Sequence, residues 1–156
     1  MTQYFAYGSN MNEEDLNRWC DKKGYSHINI INPKVAKLEE YKLDFNYYSG
    51  FRGGGAANLT KYPGESVWGL LIDLNEEDYE KISEKEGAPN FYHEIPVVIN
   101  VEGENISAKS FKVVKNKEKS TFQLPTKEYM KLILDSGVKY DFPKDYIEKL
   151  RRIPIK

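Results

Sequence analysis

The chain has very little of the residues that build covalent and metal frameworks. Among 156 residues there is one cysteine, Cys20, and two histidines, His27 and His93. One thiol excludes an intrachain disulfide framework and fits a reducing compartment. One thiol and two distant histidines also leave a structural zinc site without its ligands, so no metal is expected. No apolar run approaches the roughly 20 residues that span a bilayer. The N-terminus shows no basic segment followed by an apolar run, so the reading is a cytoplasmic protein without a membrane segment. The formal net charge of −1 provides no field to attract nucleic acid. Neither a Gly-x-x-x-x-Gly-Lys-Ser/Thr phosphate loop nor a Gly-x-Gly-x-x-Gly dinucleotide turn is present.

What is present is an ordinary globular composition, 40% hydrophobic and 30% charged, which suits one domain over residues 1–156. Twelve tyrosines are many for this length; their rings pack in strands and their hydroxyls can line a pocket. Strand patterns outnumber helical ones. Tyr41, Leu43 and Phe45 alternate with Lys42 and Asp44 inside an extended stretch from Pro33 to Tyr48. A glycine-rich loop over 50–55 leads to a short strand at 56–60, a turn at Pro63-Gly64, and a strand at 66–74. Residues 92–101 and 106–114 form a hairpin pattern. Helices are expected from Asn12 to Gly24, from Asn75 to about Glu86, over 126–136 with Gly137 as a stop, and after Pro143. The expected fold class is α+β, with a curved or closed, mostly antiparallel sheet and peripheral helices.

Two segments carry candidate chemistry. The first is Tyr4-Phe5-Ala6-Tyr7-Gly8-Ser9-Asn10-Met11. It reads as a buried strand ending in a polar turn just before a helix, which can present main-chain N–H groups to an anion or carbonyl. The same pattern also describes a plain β-turn. The second is Glu86, at the end of a helix and before Gly87-Ala88-Pro89. The negative end of the helix dipole and apolar neighbours would both raise its pKa toward that of a useful general base. A solvated surface glutamate has the same local sequence.

In combination these segments resemble the γ-glutamylcyclotransferase family. The resemblance runs in order through Tyr4–Met11, Tyr41–Phe45, Gly55–Leu59, Pro63–Gly69, Glu84–Gly87 with Tyr92, Tyr129–Ile133 and Tyr146–Leu150. It implies a small mixed, mostly antiparallel β-barrel flanked by helices. It implies release of 5-oxoproline from a γ-glutamyl compound, with no cofactor and a small-molecule substrate. By resemblance Glu86 is the general acid/base. Tyr4, Phe5, Ala6, Tyr7, Gly8, Ser9 and Asn10 hold the glutamyl end mainly through backbone, and Tyr92 and Tyr129 contact substrate. Alternative readings of the chain are an enzyme of the same fold acting on a γ-glutamylamine or another γ-glutamyl conjugate, and a non-catalytic small-ligand binding protein that keeps the barrel; the expected state is a monomer or a homodimer. The chain departs from some relatives in the length of Gly87–Phe91 and in carrying Phe111 in place of a tyrosine.

Overall fold

A computed structural model describes residues 1–156. Five strands close into a barrel in the order β1-β3-β2-β4-β5. They are β1 (Thr2–Ala6), β2 (Ile31–Ser49), β3 (Gly54–Leu74), β4 (Tyr92–Val101) and β5 (Glu104–Val113). Every pairing is antiparallel except β1 with β5, which is parallel and rests on one register pair, Tyr4 with Lys109. So short a ladder leaves main-chain carbonyls to be satisfied by side chains. Ser110 Oγ donates to the Phe5 carbonyl at 2.8 Å, and Tyr7 Oη donates to the Phe111 carbonyl at 2.6 Å. The barrel is the mixed, mostly antiparallel one that the strand patterns and the resemblance lead to.

The long β2–β3 hairpin corrects one boundary. The 56–60 and 66–74 segments belong to a single strand, β3. Pro63-Gly64 lies in an excursion within it, because Tyr41 pairs with Lys61 while Glu39 pairs with Ser66. Glu40 and Gly64 take positive φ angles of 65° and 84° there, and the Glu40 carboxylate accepts the Gly64 N–H. A bulge of this kind bends the hairpin around the barrel.

Four helices surround the barrel: α1 (Glu13–Lys23), α2 (Glu76–Lys85), α3 (Lys127–Lys139) and α4 (Lys144–Arg151). Asn12, Asn75 and Thr126 cap the first three, each side chain accepting the N–H three residues on. Gly137 does not stop α3. The helix runs to Lys139 and ends where Asp141 turns to φ 58°. Gly137 instead faces α4, where a Cβ would lie 2.8 Å from Ile147 Cδ1. Barrel interior and helix faces share one core that includes Phe5, Phe45, Leu59, Ile99, Phe111 and Ile133.

Candidate active site

The end of α2 sets the position of Glu86. Glu86 caps the helix in right-handed geometry and Gly87 follows at φ 68°. The Ala88 N–H bonds the Ser83 carbonyl and the Gly87 N–H bonds the Glu84 carbonyl. This paired closure is the Schellman motif, and its glycine is needed because other residues resist that backbone angle. The helix terminus therefore holds Glu86 on a rigid element and turns it toward the N-terminal segment.

Asn10 meets it there. Asn10 Nδ2 donates to Glu86 Oε1 at 2.8 Å and to Tyr4 Oη at 3.0 Å, while Asn10 Oδ1 accepts from Lys85 Nζ at 2.8 Å. Asn10 is buried, so one amide satisfies three polar groups away from bulk water. The Glu86 pKa is raised. Burial is the main cause, and it outweighs the Lys85 and Arg52 charges and the Asn10 hydrogen bond, which pull it down. Of the two causes expected from the sequence, the helix dipole and apolar surroundings, it is burial that leads. Lys85 is shifted the other way: burial lowers its pKa, against the attraction of Glu86 and Asp15.

Glu86 opens on a cavity of about 450 Å³. Ser9, Arg52, Lys85, Tyr92 and Tyr129 line it with Glu86, and Trp19, Tyr47, Phe51 and Phe91 supply apolar wall. Tyr92 and Tyr129 both engage the main chain of Ala57. Tyr92 Oη donates to the Ala57 carbonyl at 2.8 Å, and the Ala57 N–H donates to Tyr129 Oη at 3.0 Å. The Tyr92 hydrogen is therefore occupied, while the Tyr129 hydrogen has no acceptor in the protein. Burial pushes the Tyr129 pKa up to about 12, so the hydroxyl keeps that hydrogen at neutral pH. Thr126 caps α3 through the Tyr129 N–H, which fixes the start of the helix under this side chain.

The N-terminal segment divides. Ser9 lines the cavity. Gly8 borders Tyr129, since a Cβ there would lie 3.5 Å from its hydroxyl. The main-chain N–H groups of Tyr7 and Gly8 have no acceptor in the protein. Tyr4 and Asn10 stand behind Glu86 as hydrogen-bond partners. Phe5 and Ala6 are fully buried, and the Phe5 ring packs against Gly69 and Tyr7. Phe111 lies behind the site, stacked on Tyr79 and edge-on to Tyr4, and is not on the cavity wall.

Sequence reasoning missed Arg52, Asp15 and Lys85. Arg52 sits in the turn between β2 and β3 and grips Asp15 with both terminal nitrogens, at 3.0 and 2.7 Å; it also donates to Ser9 Oγ at 3.1 Å. Asp15 lies 3.6 Å from Lys85. Burial would raise the Asp15 pKa, but the Arg52 hydrogen bonds and the Lys85 charge outweigh it and leave the pKa lowered. The available signal was an arginine alone among Gly50, Gly53, Gly54 and Gly55. No group of three His, Cys, Asp or Glu side chains is arranged to hold a metal ion. No helix is long and apolar enough to cross a membrane.

A family model described as the AIG2-like family matches residues 66–150. The γ-glutamylcyclotransferase of Homo sapiens is 32% identical over 161 residues, covering 96% of this chain and 77% of the relative. The chain belongs to the γ-glutamylcyclotransferase family. It is an enzyme of that family. The γ-glutamylcyclotransferase of Mus musculus is 30% identical with the same coverage. A solved structure named γ-glutamyl cyclotransferase superposes with a TM-score of 0.83 at 27% identity, covering 99% of this chain and 89% of that one. The barrel of this family enzyme thus brings Glu86, Ser9, Tyr92 and Tyr129 to one cavity from four separate parts of the chain.

Proposed function

We propose that the enzyme releases 5-oxoproline from a γ-glutamyl amino acid or peptide, with Glu86 as general acid and base. The observation that carries this reading is a buried carboxylate of raised pKa, fixed by Asn10, on the wall of a cavity of small-molecule size. The substrate's α-amine attacks its own γ-carbonyl. A C–N bond forms within a five-membered ring, and the bond to the leaving amine breaks. The amine enters as an ammonium ion and must lose a proton before it can attack. Glu86 takes that proton and returns it to the departing nitrogen; the attacking nitrogen sheds a second proton as the lactam forms, and the released amine takes it up to leave as an ammonium ion, so the enzyme ends unchanged and no cofactor is consumed. A carboxylate whose pKa is raised toward neutrality suits both halves of that exchange.

The remaining groups bind and orient. The main-chain N–H groups of the Tyr7–Asn10 turn receive the substrate's α-carboxylate or the oxyanion formed at the γ-carbon. The free Tyr129 hydrogen is a further donor at the same place, and Tyr92 holds the Ala57 strand against it. Enclosure keeps the glutamyl chain folded so that amine and carbonyl meet. The testing experiment is incubation of the protein with a panel of γ-glutamyl compounds and chromatographic detection of 5-oxoproline. Its absence from every reaction would refute the reading.

A further inference from the structure

A second cleft adjoins the cavity and shares with it the side chains of Trp19, Phe51, Arg52, Lys85 and Tyr129. Its volume is about 330 Å³, and on its outer side lie Arg18 and Lys22 of α1. Four cations line this cleft, Arg18, Lys22, Arg52 and Lys85, against two carboxylates, Asp15 and Glu128. Asp15 is already committed to Arg52. Arg18 reaches Asp15 only at 3.5 Å and is mostly exposed, and Lys22 has no carboxylate within 4.0 Å; its ammonium lies 5.8 Å from the Phe51 ring centre. The cleft therefore holds an excess of positive charge with uncommitted donors, in a chain whose overall charge is close to zero.

We infer that this cleft is a subsite for a carboxylate on the leaving group, read by Arg18 and Lys22. The inference rests on the proposed reaction and specifies its substrate. Glu86, at the inner cavity, fixes where the scissile bond must lie. A leaving group that extends past Phe51 and Arg52 enters the cationic cleft, where a carboxylate finds partners and a cationic tail is repelled. Discrimination of this kind comes as much from rejecting the wrong charge as from binding the right one. An exposed ion pair contributes modestly, so the two cations together are worth about tenfold in kcat/KM.

The test uses two substrate pairs that differ only in that carboxylate: γ-glutamylalanine with γ-glutamyl ethylamide, and γ-glutamylalanylglycine with its C-terminal amide. The native enzyme is compared with the Arg18→Gln/Lys22→Gln double variant by 5-oxoproline release. The expected result is a preference of about tenfold for the acid in at least one pair, expressed mainly in KM and weakened by salt. The double variant loses that preference while its turnover of the neutral partner is unchanged. Equal use of acid and neutral substrates by the native enzyme, or a preference that survives in the variant, would overturn the inference and leave the proposed reaction standing. No turnover of any of the four would overturn both.

Discussion

Asn10 donates a 2.8 Å hydrogen bond to Glu86 across 76 residues of sequence. The bond joins the two segments to which the proposed chemistry is assigned, and it is a side-chain contact. The N-terminal segment therefore contributes a side chain as well as main-chain donors to this end of the cavity. Through one amide it also orients the carboxylate and accepts a hydrogen bond from Lys85 Nζ.

That arrangement sets a pH dependence. In the proposed mechanism Glu86 must be ionised to accept the ammonium proton, so kcat/KM should rise with pH through its pKa. The acidic limb should lie above the value of about 4.3 for a free glutamate. The Asn10 bond and the Lys85 charge both pull the pKa down. Asn10→Ala and Lys85→Met should each move the limb to higher pH in a pH–rate profile. Asn10→Ala should also cost about 1–3 kcal/mol of stability, since buried partners lose a hydrogen bond. A limb that stays in place in both variants would contradict the coupling.

The two tyrosines on Ala57 should behave differently. Tyr129→Phe removes the free hydroxyl hydrogen from the cavity and should lower kcat/KM about tenfold, the scale of one hydrogen bond. Tyr92→Phe removes a hydrogen already given to the Ala57 carbonyl. Its main effect should be a loss of about 1 kcal/mol in thermal stability with a smaller change in activity. Steady-state kinetics on both variants separate the cases, and equal losses of activity would contradict the assignment.

Asp15 should be a large contributor to stability. Arg52 and Asp15 are nearly buried, at 16% and 8% side-chain exposure, and removing one charge strands the other. Asp15→Asn should cost about 3 kcal/mol in chemical denaturation. The folded-state pKa of Asp15 lies below its unfolded value of about 3.9. Its contribution is therefore complete above that pH and is lost as pH falls through the folded value. The variant should show a weaker loss of stability in that acidic window than the native protein.

Gly55→Ala tests how the fold supports the site. A Cβ at Gly55 would sit 1.9 Å from the Gln123 carbonyl oxygen, a main-chain atom that cannot swing away. The same stretch leads into Thr126 and hence to Tyr129. Relieving the clash should cost about 3 kcal/mol and raise KM as the start of α3 shifts. A variant of native stability and native KM would contradict the tight approach.

Much of the fold was legible in the sequence because its signals are local. Alternation at Tyr41–Phe45 and capping by Asn12 and Asn75 depend on neighbours within a few residues. Gly137 misled because a glycine at a helix end and a glycine at a helix–helix contact look alike in sequence; only the nearness of Ile147 tells them apart. Tyr129 and Glu86 stand out by resemblance, but their environments do not. The Asp15–Arg52 pair spans 37 residues and joins a helix to a turn, so no periodicity could reveal it. The burial that raises the Glu86 pKa is likewise a property of the closed barrel and its helices, absent from the exposed-looking string Glu84-Lys85-Glu86.

The most direct measurement is 5-oxoproline release by Glu86→Gln beside the native enzyme, with a thermal melt on the same samples. The amide keeps an acceptor for Asn10 but cannot take a proton. The expected result is a folded variant whose kcat falls by roughly 10²–10⁴-fold. A folded variant that turns over at close to the native rate would contradict the assignment of Glu86 as the proton-transfer group.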